Sequence, residues 1–224
     1  MNNEKAVVLF SGGQDSTTCL FWAKEKFSEV IALNILYGQR HAIERESARK
    51  IAKLAGVELV ELEMDVFSKI NDSALINTDM DVSTAHDKNS NLPASFVPGR
   101  NIMLLTIAAS FAYSKGISNI VTGVCQTDYS GYPDCRDKTI KSLELALSLG
   151  MDKDFHIHTP LMWKTKAETV LMATELDGCW SALALSHTCY NGQWPPCGEC
   201  PACKIRARGF EEAGEIDPIF ERRD

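Results

Sequence analysis

Apolar residues recur along this chain in two rhythms. Short apolar runs at Ala6 to Phe10, Val30 to Leu36, Val57 to Glu63 and Ile117 to Val124 predict strands. Between them, His41 to Leu54, about Asn101 to Ser114 and about Lys138 to Leu149 carry the three-to-four-residue spacing of amphipathic helices. Strands alternating with helices predict an α/β fold, a doubly wound parallel sheet of Rossmann-like type. Ligands of such sheets sit beyond the carboxyl ends of the strands, near the point where strand order reverses. The loops Ser11 to Ser16, Tyr37 to His41 and Gly123 to Arg136 each follow a predicted strand, so all three are expected at one crevice. Residues 64 to 98, rich in Asp, Ser and Asn, break the alternation and are expected to form a partly ordered excursion.

At 224 residues, one main domain can bury a core of its own. No apolar stretch approaches the ~20 residues of a membrane span. The apolar N-terminal run leads straight into a glycine loop and reads as a core strand instead of a leader, which predicts a cytoplasmic protein. A net charge of −7 disfavours a broad nucleic-acid surface and suits small-molecule substrates.

The segment from Leu9 and Phe10 through Ser11, Gly12, Gly13, Gln14, Asp15, Ser16, Thr17 and Thr18 to Cys19 joins a strand to a helix. Two glycines let the backbone approach an anion, hydroxyls can donate, and the free N–H groups of the next helix point at the ligand. That is a phosphate cradle. Asp15 beside phosphates implies Mg²⁺ held with the nucleotide, since a bare carboxylate there would repel. A Walker lysine is missing, which argues against γ-phosphoryl transfer. The segment resembles the loop of ATP pyrophosphatases, which cleave ATP between the α- and β-phosphates to adenylate a substrate.

Of eight cysteines, Cys189, Cys197, Cys200 and Cys203 form C-x₇-C-x₂-C-x₂-C among Gly, Pro and Asn. Such gaps bring four thiolates onto one tetrahedral ion; a structural Zn²⁺ is expected, with an iron–sulfur cluster as the competing reading. We therefore divide the chain into a nucleotide domain over residues 1–186 and a zinc-binding segment over 187–224 packed on the same domain. Cys19 and Cys179 lie in apolar helical contexts and read as small core residues, while Cys125 and Cys135 fall in the loop expected at the crevice. His156 and His158 would share a strand face, the mark of a polar edge more often than of a metal.

Together with Tyr37-Gly38-Gln39-Arg40-His41, Phe96-Val97-Pro98-Gly99-Arg100-Asn101, Gly123-Val124-Cys125 with Thr127-Asp128, Gly131-Tyr132-Pro133-Asp134-Cys135-Arg136 and Pro160-Leu161-Met162-Trp163, the loop and the cysteines resemble the 7-cyano-7-deazaguanine synthase family over nearly the whole chain. The resemblance implies the adenine nucleotide alpha hydrolase type of fold and an ATP-dependent ligation of ammonia to 7-carboxy-7-deazaguanine, through adenylated and amide intermediates, to a nitrile precursor of queuosine. It implies a homodimer without stable nucleic-acid binding. Ser11 to Thr17 would hold ATP phosphates and magnesium, and Lys166 would place a cation against departing pyrophosphate, though a solvated first-turn lysine explains the same residue. Arg100 is the candidate for bidentate recognition of a carboxylate or phosphate. Asn101, Asp128, Asp134 and Arg136 are candidates for contacts to the deazapurine, the acidic ones also being ordinary turn formers. Two rivals remain at this point: a tRNA-thiolating or lysidine-forming ATP pyrophosphatase, and a nucleotide-binding regulator with a zinc ribbon.

Overall fold

A computed structural model of the chain describes residues 2–37, 42–64, 85–86, 89–93, 96–127 and 132–221. Five parallel strands form the main sheet in the order β3-β2-β1-β6-β7: β1 is Asn2–Leu9, β2 Phe27–Leu36, β3 Glu58–Glu63, β6 Asn119–Val121 and β7 His156–His158. A separate antiparallel hairpin pairs β4 (Ala85–His86) with β5 (Asn89–Pro93). The helices are α1 (Gln14–Lys26), α2 (Ala42–Ala55), α3 (Arg100–Ser114), α4 (Asp137–Met151), α5 (Lys166–Glu175), α6 (Cys179–Leu183) and α7 (Pro201–Ala213).

β1 explains the architecture. Its Ala6, Val7 and Val8 have no exposed surface, because the strand is covered on both faces. Ala6 and Val8 point into one apolar cluster with Leu20 and Ala23 of α1, Ile51 of α2 and Val170 of α5. Val7 points the other way, toward Leu105 and Ala108 of α3 and Leu147 of α4. Val8 pairs with Ala32 on one side and with Val121 on the other. Strand order therefore reverses between β1 and β6, and the crevice at their carboxyl ends is the topological switch point.

Boundaries differ from the sequence reading where backbone pairing, and not hydrophobicity, decides. Ile117 and Val124 are buried, yet only Asn119–Val121 pairs as β6. β7 is the sheet edge; His156 is exposed and His158 Nε2 lies 2.9 Å from Asn119 Oδ1, a polar strand edge as read. The excursion at 64–98 falls mostly outside the described residues. Among the described residues no helix is long and apolar enough to cross a membrane.

The C-terminal segment is fastened by one buried cation. Arg206 of α7 donates through Nε and Nη2 to both Asp217 oxygens at 2.6 and 2.8 Å, and through Nη1 to Ser186 Oγ at 2.7 Å and Thr188 Oγ1 at 3.0 Å. Replacing Arg206 by Ala strands the Asp217 carboxylate, which is 8% exposed. We expect a loss of about 3–5 kcal/mol in urea-induced unfolding; a loss under about 1 kcal/mol would mean the pair does not fasten the segment.

Candidate active site

The loop after β1 is shaped from within and from behind. Gly13 caps α1, and its N–H donates to Ser11 Oγ at 3.3 Å. Ser11 Oγ lies 3.1 Å from Ser16 Oγ, which in turn accepts from the Ser11 N–H at 3.3 Å. Behind the loop, the Gly12 carbonyl accepts from the His187 N–H at 3.0 Å. Gly12 adopts φ +87°, and a Cβ there would fall 2.6 Å from the Ala48 nitrogen of α2, so this position admits glycine alone.

At the start of α1 the Asp15 carboxylate meets a lysine from a distant element. Lys166 Nζ lies 2.8 Å from both Oδ1 and Oδ2, with side chains only 15% and 30% exposed. Lys166 is the first residue of α5, whose start is fixed by a capping box between Thr165 and Glu168. A cation is thus held at the mouth of the phosphate loop by a carboxylate that also suits a hard divalent ion.

Loop and lysine form one side of a cavity of about 330 Å³ at the switch point. The other side is aromatic and cationic. Arg100 opens α3, its Nη1 donates to Tyr37 Oη at 3.5 Å, and its guanidinium lies 5.6 Å from the Tyr132 ring centroid, which also packs on Phe96. Burial opposes the charge, yet the phenols of Tyr37, Tyr132 and Tyr190 around it hold the Arg100 pKa above the usual arginine value, so it remains a cation. Glu44, in the first turn of α2, lines the same cavity, and burial pushes its carboxyl up to about 7 against the pull of Arg100.

The structure sorts the residues singled out in the sequence. Leu9, Phe10, Ser11, Gly13, Gln14, Asp15, Ser16, Arg100, Asn101 and Lys166 line the cavity. Thr17, Thr18 and Cys19 do not. All three are fully buried; the Thr17 hydroxyl donates back to the Gly13 carbonyl at 2.8 Å and the Thr18 hydroxyl to the Gln14 carbonyl at 3.2 Å, so neither is free to donate to a phosphate. Asp134 is buried outside the cavity lining and accepts the Asn101 N–H at 2.8 Å, a cap for α3 supplied from elsewhere in the chain. Arg136 is exposed at the start of α4 and is not part of the cavity lining. Asp128 and residues 38–41 lie outside the described residues.

Several lining groups escaped the sequence reading, among them Glu44, His187, Tyr190 and Arg206. Glu44 lies in a stretch of helical spacing and Arg206 just beyond the four cysteines, and neither position hints at a site. Cys125 lines the cavity, and its sulfur donates to the Lys164 carbonyl at 3.3 Å and lies 3.1 Å from Thr127 Oγ1. Cys135 takes a hydrogen bond from Asn101 Nδ2 at 3.2 Å. Cys19 and Cys179 are core residues, the latter pushed up to about 12 by burial.

The sulfurs of Cys189, Cys197, Cys200 and Cys203 lie within 4.8 Å of one another, and those of Cys197 and Cys203 are 3.8 Å apart. Metal–sulfur bonds of ~2.3 Å in a tetrahedron give a sulfur–sulfur edge of about 3.8 Å, so the cluster suits one four-coordinate ion. The Cys200 N–H donates to the Cys197 sulfur at 3.4 Å, support that a thiolate ligand needs.

The family described as queuosine biosynthesis protein QueC matches residues 5–214. The chain is 54% identical over 223 residues to a 7-cyano-7-deazaguanine synthase of Chromobacterium violaceum, covering 99% of this chain and 95% of that one. A protein of the same name from Laribacter hongkongensis is 52% identical, covering 98% and 95%, and one from Bacteroides fragilis 54%, covering 95% and 97%. Among solved structures, a 4-thiouridine synthetase in complex with RNA and bound ATP superposes with a TM-score of 0.54 at 16% identity, over 94% of this chain and 50% of that one. That likeness shows the fold.

The Glu44 carboxyl yields a pH dependence of stability. Its folded pKa, about 7, lies above the usual 4.5, so the folded state binds the extra proton and loses stability as pH rises through that window. Glu44→Gln, which cannot ionise, should gain on the parent by on the order of 1 kcal/mol between pH 5 and pH 8, after allowing for screening in an open cavity. Thermal melts at the two pH values measure this; an unchanged difference would show that Glu44 is not desolvated.

Proposed function

The chain belongs to the QueC family of queuosine biosynthesis proteins, and we propose that it is a 7-cyano-7-deazaguanine synthase, a carbon–nitrogen ligase that converts 7-carboxy-7-deazaguanine and ammonia to the nitrile at the expense of ATP. The observation that carries this reading is one cavity with two unlike ends. A phosphate loop with a cation lies at one end, and an arginine among aromatic rings lies at the other. The first suits a triphosphate; the second suits a flat base bearing a carboxylate.

The chemistry needs both. A carboxylate oxygen does not leave against ammonia, so it first attacks the α-phosphorus of ATP, breaking the bond to the β-phosphate. Pyrophosphate departs beside the loop N–H groups and Lys166, whose fixed charges meet the charge that develops. Asp15 would hold the Mg²⁺ that accompanies the nucleotide, an ion that would supply charge neutralisation to the pyrophosphate. Ammonia attacks the acyl adenylate, AMP leaves with the former carboxylate oxygen, and an amide results. A second ATP activates the amide oxygen in the same way, and loss of AMP and a proton leaves the nitrile.

In this reading Asp15, Arg100 and Lys166 are the catalytic groups. Ser11, Gly13 and Ser16 are the phosphate donors, and Asn101 is a base contact. The four-cysteine site holds a structural zinc, the assembly is a homodimer, and the enzyme works in the cytoplasm on free small molecules. Incubation of the purified protein with Mg-ATP, ammonium and 7-carboxy-7-deazaguanine should give the nitrile through a transient amide, with two AMP per nitrile by mass spectrometry and one zinc per chain by elemental analysis. Turnover of a tRNA substrate with none of the free base would overturn the reading.

A further inference from the structure

Lys166 reaches Asp15 across the surface of another helix. In α7 the buried positions Ala202, Cys203, Arg206, Gly209 and Phe210 form a single stripe, the face turned to the rest of the protein. A glycine in the middle of a buried helical face forgoes apolar burial and costs roughly 1 kcal/mol against alanine. Something must require it. A Cβ built on Gly209 would lie 2.3 Å from Lys166 Cγ, 3.0 Å from Lys166 Cβ and 3.3 Å from its carbonyl carbon. The lysine stem therefore lies in the groove left by the missing side chain, and its first two carbons touch α7.

We propose that Gly209 is a positioning residue: by leaving α7 without a side chain, it lets the Lys166 stem lie flat on that helix and delivers its ammonium to Asp15. The role rests on the reading of Lys166 as the cation facing pyrophosphate. A clash at Cγ cannot be relieved at the far end of the side chain. Either χ1 of Lys166 rotates, which carries Nζ away from the carboxylate 2.8 Å distant, or α5 and α7 separate. Neighbouring contacts oppose separation, since Arg206, one turn earlier on α7, is bonded to Ser186, Thr188 and Asp217. Rotation of the lysine is the easier response.

The test is Gly209→Ala, alone and combined with Lys166→Ala. The single variant should lose at least about tenfold in kcat with KM for ATP changed less than about twofold, the signature of a contact used in the transition state. In the Lys166→Ala background the same substitution should cost under about twofold, because the Cγ that lies 2.3 Å from the added carbon, and the ammonium it would displace, are gone. Equal losses in both backgrounds, or full activity of Gly209→Ala, would overturn the proposal. Acetic anhydride labelling of the ligand-free protein, read at Lys166 by peptide mass mapping, addresses position without turnover. Labelling should rise severalfold in Gly209→Ala, and an unchanged rate would refute the displacement. If Gly209→Ala is too unstable to assay, the double variant should regain most of the lost melting temperature; no recovery would also refute it. Parental turnover by Lys166→Ala alone would remove the catalytic reading of the lysine, while the labelling result would still decide whether Gly209 positions it.

Discussion

The site depends on a loop that has no room to move. Gly12 sits in the left-handed region with its α-carbon pressed against the backbone of α2: a side chain would meet the Ala48 nitrogen at 2.6 Å and the Glu44 carbonyl at 2.8 Å. α2 is itself seated in the core by Ala48 and Ile51, both without exposed surface. From the other side the His187 N–H holds the Gly12 carbonyl. Donors fixed before the ligand arrives need no reorganisation when charge develops, and this is what makes such a loop useful in phosphate chemistry.

The same constraint ties the C-terminal segment to the chemistry. His187 is flanked by Ser186 and Thr188, both of which accept from Arg206 of α7, and α7 also carries the groove for the Lys166 stem. The segment with the four cysteines thus contacts the phosphate loop from behind and the lysine from beside. Cys189, one of the four, lines the cavity directly. The cysteine cluster is therefore placed to fix one wall of the site as well as to hold the segment together.

The parallel sheet was legible because β1 and β2 are buried on both faces, which leaves unbroken apolar runs that only a covered parallel sheet accommodates. The phosphate loop and the cysteine cluster were legible because each packs its chemistry into a short stretch of chain. α7 is hard to see in the sequence, although Pro201 at its first position and Gly214 after its last are ordinary start and stop signals, because the two-residue gaps between cysteines, which contain Gly and Pro, indicate turns instead. Thr17 and Asp134 show the limit more sharply. Both are residue types that bind ligands, and both engage the backbone of a helix, Thr17 within α1 and Asp134, through Oδ2, on α3. Composition cannot reveal which partner a hydroxyl or carboxylate takes. Glu44 was invisible for the opposite reason, since its role comes from elements far away in sequence that enclose it.

The central claim is that one crevice brings the carboxylate of a base to the α-phosphorus of ATP. The most direct measurement follows the carboxylate oxygens themselves. With 7-carboxy-7-deazaguanine labelled with ¹⁸O at both carboxylate positions, adenylation at each stage transfers one labelled oxygen to AMP, so both labels should appear in AMP, one per molecule, and none in phosphate. Label in inorganic phosphate would mean that the γ-phosphoryl group is transferred instead, and label released to water would mean that no phosphoryl activation occurs; either result would contradict the account.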